Sequence, residues 1–148
     1  MKAKLLLLSL ICISIIACNK DEFTTKPQLT FKSVNTQRLV RGTTITFSLG
    51  FTDKEGDIED TIYMIKRTRN CTNSNITARY KVPEFNAGKN ASGDFELTLG
   101  YNFGNGIPEI QAPQCPGRND SSFFLFVLKD KAGNRSDTVS SPEVVIIR

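Results

Sequence analysis

The chain has no histidine and no tryptophan among its 148 residues. Without an imidazole there is no Ser-His-Asp triad, no Cys-His nucleophile pair and no histidine-ligated metal. An enzyme working through lysine or carboxylates remains open, but it needs a pocket that a sequence does not display. The chain is therefore expected not to be an enzyme. Without tryptophan, and with three tyrosines, Tyr63, Tyr80 and Tyr101, the flat platform that stacks on sugar rings is thin. That weakens a carbohydrate-binding reading without removing it. No long basic run is present, so a nucleic-acid partner has no electrostatic footprint. No stretch after the first twenty residues carries a convincing amphipathic-helix period.

What is present begins at the N-terminus. Met1 to Lys4 is a short basic head, and Leu5 to Ile16 is an apolar run broken only by Ser9, Cys12 and Ser14. Ala17-Cys18 closes it, and the polar Asn19-Lys20-Asp21-Glu22 follows. A basic head, a short apolar core and a small residue at the end mark an export signal, and the run is short for a membrane span.

Ile15-Ile16-Ala17-Cys18 resembles the bacterial lipoprotein box. The resemblance implies that Cys18 is acylated, for instance with palmitate, and becomes the first mature residue. An ordinary signal peptide with a chance cysteine is the alternative. Buried acyl chains contribute about 0.8 kcal/mol per methylene, so two or more hold a protein firmly at a bilayer. Lys20-Asp21-Glu22 resembles the surface-export signal of Bacteroidetes lipoproteins. That resemblance implies an outer-membrane, lipid-anchored protein facing the cell exterior; a solvated charged tether is the plainer alternative. The expected division is residues 1–17 as lipoprotein signal peptide, 18–28 as lipidated cysteine and tether, and 29–148 as one domain.

Of the 19 basic residues, Lys2 and Lys4 leave with the signal, which sets 17 against 15 acidic residues, a mature charge of about +2. With Cys12 removed and Cys18 acylated, Cys71 and Cys115 remain. In an oxidising compartment they are expected to pair, with two free thiols as the alternative. The loop so closed stabilises the fold by roughly 4 kcal/mol on the chain-entropy view.

The rest of the chain reads as strands. Ile45, Phe47, Leu49 and Phe51 alternate with small or hydroxyl residues, a period of two with one buried face. Leu29–Val34, Ile58–Arg67, Arg79–Val82 and Phe95–Phe103 are further strands, with Asn35–Arg38 as a turn and Glu84–Gly93 as loop. Phe123–Leu128 is apolar on both faces, which places it centrally in a sheet. The last strand ends at Val144–Ile147, with Pro142 as a bend or sheet switch. The expected fold is all-β, an antiparallel β-sandwich of about seven strands. The final hairpin, Phe126 to Asn134 followed by Ser136 to Pro142 and Val-Val-Ile-Ile, resembles that of immunoglobulin-like and fibronectin-type-III-like bacterial modules. This resemblance implies an immunoglobulin-like sandwich. In that arrangement Cys71 and Cys115 share one end and clip two loops.

Candidate sites follow from the loops. Asp53-Lys54-Glu55-Gly56-Asp57 and Asp130-Lys131-Ala132-Gly133-Asn134 are similar turns at one end. Asp53, Glu55, Asp57, Asp130 and Asn134 gather oxygens of the kind calcium takes, and the first turn is similar to the calcium-binding loops of cadherin-like modules. Turn capping by aspartate, with glycine at positive φ, is the plainer account. Apart from calcium no cofactor is expected. Asp60-Thr61-Ile62 and Asp137-Thr138-Val139 resemble the Bacteroidetes O-glycosylation sequon, which implies sugar on Thr61 or Thr138. Arg67, Arg69, Arg79 and Lys81 form a loose basic patch, read either as a solvated face or as an acidic-glycan site. The long connection 104–119, rich in glycine and proline, marks the disulfide end as the first choice for binding. The expected function is a cell-surface or outer-membrane lipoprotein that binds or scaffolds a protein or glycan partner. The alternative is a calcium-dependent or glycan-binding adhesion module.

Overall fold

A computed structural model describes residues 23–85 and 87–148. Cys18 and the Lys20-Asp21-Glu22 triplet, with the whole expected signal peptide, lie outside the described residues. Among the described residues no helix is long and apolar enough to cross a membrane.

The strands are β1 Gln28–Val34, β2 Arg38–Leu39, β3 Thr43–Asp53, β4 Thr61–Thr68, β5 Ile76–Lys81, β6 Ala91–Tyr101, β7 Asp120–Lys129, β8 Val139–Ser140 and β9 Val144–Ile146. A 3-10 turn, Thr72–Ser74, precedes β5. One sheet has the order β1-β3-β6, the other β2-β9-β7-β4-β5 with β8 also on β7. The two sheets face each other as a β-sandwich.

The alternation read from the sequence sets which side chains meet. Ile45, Phe47, Leu49 and Phe51 of β3 point inward, as do Ile62 and Met64 of β4 and Phe124, Phe126 and Leu128 of β7. Phe47 lies 4.8 Å from Phe124 and 5.1 Å from Phe126 by ring centroids, the spacing of attractive aromatic pairs. Full burial of each such ring contributes about 1.5–3 kcal/mol. Strand β7 is central to its sheet, as its two apolar faces require. Its outer side chains are half-buried, and Arg69 stacks on Phe123 there at 5.2 Å.

Strand β4 begins at Thr61 rather than Ile58 and β5 at Ile76 rather than Arg79, and three larger features differ from the sequence expectation. The sandwich is not wholly antiparallel, because β2 pairs β9 in parallel, Arg38 beside Val145 and Leu39 beside Ile146. Arg38 falls within what reads as a turn and Leu39 directly follows it. Leu39 is nevertheless fully buried, and Gln37 and Leu39 accept the Val145 and Ile147 N–H groups. Two residues are too few to show a period. Strand β6 starts at Ala91, not Phe95, since β3 pairs it without a break down to Asp53–Ala91. Ser92-Gly93-Asp94 offers no apolar signal, and Gly93 is where the Phe51 ring lies, 3.0 Å from where a Cβ would stand. The strand ends at Tyr101 because Asn102 takes a φ of 53°. Finally there are nine strands among the described residues, not about seven. The short β2 is one addition, and Pro142 splits the last strand into β8 and β9. Both pair with β7, so the proline bends the chain without a change of sheet.

The register defines two ends. One end carries Asp53, Thr61 and Lys129; the other carries Thr43, Tyr101, Thr68 and Ser122. The chain enters at the first end. Thr24 accepts the Lys54 N–H at 3.2 Å, the Thr25 hydroxyl donates to Glu55, and Lys26 pairs with Asp137 at 2.6 Å. The last residues of the expected tether are thus bound to the domain before β1 begins at Gln28.

Candidate functional site

The entry end holds the acidic turns. Asp53 closes β3 and caps the turn that follows, its Oδ2 accepting the Gly56 N–H at 2.5 Å and the Asp57 N–H at 3.3 Å. Gly56 supplies the positive φ this turn needs, 76°, and Gly88 O sits 2.2 Å from where its Cβ would be. Asp130 does the same for the second turn, accepting the Asn134 N–H at 2.7 Å and the Asn134 amide at 2.9 Å. Lys131 N–H donates to Asp57 O at 2.9 Å and Ala132 N–H to Asp57 Oδ2 at 3.2 Å, which joins the two turns.

The expected acidic cluster then divides. Asp53, Asp57 and Asp130 each place a carboxylate oxygen within 4.8 Å of the others. Glu55 is exposed and turned to Thr25, 3.1 Å away. Glu59 pairs with Lys131, and Asp60 with Lys129 at 2.5 Å. The hydrogen bond from Lys131 holds the Glu59 carboxyl below its ordinary value, and that from Lys129 does the same for Asp60. Burial pushes the Asp53 carboxyl up against its two backbone donors, with the Asp57 and Glu55 charges adding to the rise. Both turn-capping aspartates are in place, and three of the five expected calcium oxygens converge. Asn134 spends its amide on Asp130.

The far end carries the disulfide. Cys71 and Cys115 are bonded with Cα atoms 5.7 Å apart, between the 3-10 turn and the connection after β6. It clips two loops at the end the sequence assigned. Beneath it lies a buried polar hub that sequence reasoning missed. Lys66, 1% exposed, pairs with the fully buried Asp120, and its ammonium also donates to Ser74 O at 3.0 Å. Ser122 donates to Asp120 at 2.6 Å, and the Ser74 hydroxyl accepts the Gln114 N–H at 3.0 Å. Burial raises the Asp120 pKa, but the bonds from Lys66, Ser122 and Thr68 outweigh it and the group sits below its ordinary value. The signal was there: Lys66 follows Ile62 and Met64 at period two, which sends it inward.

An open cleft of about 470 Å³ lies beside this end, lined by Arg41, Tyr101, Phe103, Glu109, Ile110 and their neighbours. The connection folds back on β6 at Gly100, whose N–H donates to Pro108 O and whose carbonyl accepts the Ile110 N–H. A Cβ at Gly100 would stand 2.8 Å from that of Phe103. Glu109 gathers the N–H groups of Asn102, Phe103 and Gly104 at 2.6, 3.0 and 2.8 Å, and these hold its carboxyl below the ordinary value, Gly104 most. Tyr101 is 1% exposed, and its hydroxyl has no hydrogen-bond partner among the described residues. Phe103 is 38% exposed. A smaller apolar cleft of about 300 Å³, lined by Phe51, Pro83, Phe85 and Phe95, lies toward the entry end.

The basic patch is committed to its own sheet. Arg69 pairs with Glu143 at 3.0 Å, Arg79 stacks on Tyr63 at 5.4 Å, and Lys81 lies 3.7 Å from Glu84. Arg67 is exposed. Thr138 is exposed beside Asp137, while Thr61 is half-buried with its hydroxyl on Asp60 at 2.9 Å.

No protein-family profile matches the sequence, and no curated protein is similar to it. Among solved structures, the sporulation control protein Spo0M from Bacillus subtilis is similar at 8% identity and a TM-score of 0.46, over 84% of this chain and 51% of that one. A Niemann-Pick type C2 protein from Japanese carpenter ant is similar at 10% identity and a TM-score of 0.42, over 82% of this chain and 95% of that one. The chain spans about half the length of Spo0M. Neither likeness is close enough to carry an argument about function.

Proposed function

We propose that this chain is a non-catalytic binding module, an immunoglobulin-like sandwich anchored through acylated Cys18 to the outer membrane and facing the exterior. The partner is a protein or glycan of the cell surface, taken in the cleft at the disulfide end. The observation that carries the reading is the polarity of the molecule. The chain enters at the end bearing Thr24 to Pro27, while the cleft of Arg41, Tyr101, Phe103 and Glu109 is at the other. A lipid at Cys18 therefore points the cleft away from the bilayer.

The cleft supplies the chemistry of recognition rather than of bond cleavage. It offers an apolar ring at Phe103 and a guanidinium at Arg41, over the buried Tyr101. A partner with an apolar group flanked by hydrogen-bonding or acidic groups fits this set. The carboxylate present, Glu109, is spent on three backbone donors.

Two measurements test the reading. Cys18→Ser should release the protein from membranes into the aqueous fraction and abolish palmitate incorporation; retention in the membrane refutes the anchor. A photo-crosslinking residue at Phe103 should yield a discrete adduct on intact cells, and one at Lys54 should not. The reverse pattern, or equal labelling at both, refutes the orientation.

A further inference from the structure

We propose that Asp53, Asp57 and Asp130 form a divalent-cation site of the calcium type that ties the β3–β4 turn to the β7–β8 turn. The site lies at the entry end, opposite the cleft, and is independent of the binding reading above.

Three observations converge on it. First, one carboxylate oxygen from each aspartate lies within 4.8 Å of the other two. Two Ca–O bonds of about 2.3–2.6 Å, set across one ion, span the same range. Second, the nearby lysines are engaged by other acids, Lys131 by Glu59 and Lys129 by Asp60, so no ion pair reaches the three aspartates among the described residues. Third, Asp53 is fully buried, its Oδ2 accepts two backbone N–H groups, and its Oδ1 has no hydrogen-bond partner. A buried carboxylate oxygen without a donor is costly in any folded protein. The turn cap uses one oxygen, Oδ2; a cation would supply the partner that Oδ1 lacks.

The donor set selects the ion. It is all oxygen, with no sulfur or imidazole within it, which suits a hard cation. The backbone fixes the geometry beforehand. Asp57 is held to the second turn through Lys131 N–H and Ala132 N–H, and Asp130 is fixed through Asn134. The ligand set differs from the one the sequence pattern offers. Glu55 faces Thr25 and is not assigned to the ion, and the Asn134 amide N–H donates to Asp130, which holds that ligand in place.

The test is calorimetric titration of the chelator-treated purified protein with calcium chloride, alongside thermal unfolding with and without millimolar calcium. One ion should bind per chain, with an affinity of about 10⁻⁴–10⁻³ M, and raise the unfolding midpoint. Asp57→Asn keeps the oxygen that accepts from Ala132 and should weaken binding about tenfold or more. Without calcium this variant should melt no lower than the parent, because one of three repelling charges is gone. Asp130→Asn should behave alike, and Glu55→Gln should bind as the parent does. The proposal is overturned by absence of both heat and midpoint shift in the parent. It is equally overturned by binding that survives Asp57→Asn and Asp130→Asn, or by binding lost in Glu55→Gln.

Discussion

Replacing Lys66 with methionine tests the buried hub most sharply. Methionine keeps the length and apolar stem of the side chain and deletes the ammonium. Asp120, fully buried, is then left with Ser122 and Thr68 and without its cation. Breaking one partner of a buried pair costs about 3–5 kcal/mol. At about 3–4 °C per kcal/mol for a domain of this size, the midpoint should fall by roughly 10–20 °C. The pH dependence separates this cause from a packing defect. In the parent, Asp120 titrates below its ordinary 3.8, so its contribution is full above that value and is lost as pH falls through the depressed one. In Lys66→Met the unpaired carboxylate is raised instead, and the folded state holds the proton more tightly than the unfolded chain. That variant loses stability as pH rises, and is least handicapped in acid. Removing both charges, Lys66→Met with Asp120→Leu, should recover most of the loss, since apolar pairs often replace buried ion pairs without penalty. Urea unfolding of the parent, both singles and the double at acid and neutral pH gives the cycle. A Lys66→Met cost below about 1 kcal/mol with an unchanged pH profile would mean that water reaches the pair. That result would refute the reasoning.

Three further outcomes are expected. Changing Cys71 and Cys115 together to serine opens a loop of sequence separation 44, which lowers unfolding free energy by about 4 kcal/mol, read by denaturant titration against the oxidised parent. Gly56→Ala places a methyl 2.2 Å from Gly88 O at a φ of 76°, so a loss of about 1–3 kcal/mol is expected in thermal unfolding. Glu109→Gln weakens three charge-assisted bonds, so amide exchange at Asn102, Phe103 and Gly104 should quicken. Because the Glu109 pKa is lowered in the fold, the parent should lose protection at these amides, measured against the intrinsic exchange rate at each pH, as pH falls through that lowered value, while staying protected above the ordinary one.

Local pattern carries information only where a run is long enough to have a period. Strand β3 shows that period over many residues and its inward face follows from it, whereas the run Phe123–Leu128 of β7 is apolar on both faces and gives a central place in a sheet but not which face turns inward. Phe95–Tyr101 announces most of β6, but Ala91–Asp94 is a strand only because Gly50, Phe51, Thr52 and Asp53 lie beside it. Leu39 and Val139 sit in two-residue strands that exist through their partners β9 and β7. The disulfide end was legible because strand direction alternates, which puts Cys71 and Cys115 on one side. The cleft was not, since it needs the connection after Tyr101 to double back at Gly100.

By itself the sequence determined the alternation of buried and exposed side chains and the turns at Gly56 and Gly133, which depend on neighbours along the chain. It left Cys71 and Cys115 as either a pair or two free thiols, and the structure joins them. Only the tertiary structure decided which carboxylates meet. Asp53, Asp57 and Asp130 converge while Glu55, Glu59 and Asp60 turn to Thr25, Lys131 and Lys129. Charge acts through space, and the distances between residues as far apart in sequence as Asp53 and Asp130 are set by how two sheets pack, which no local pattern encodes.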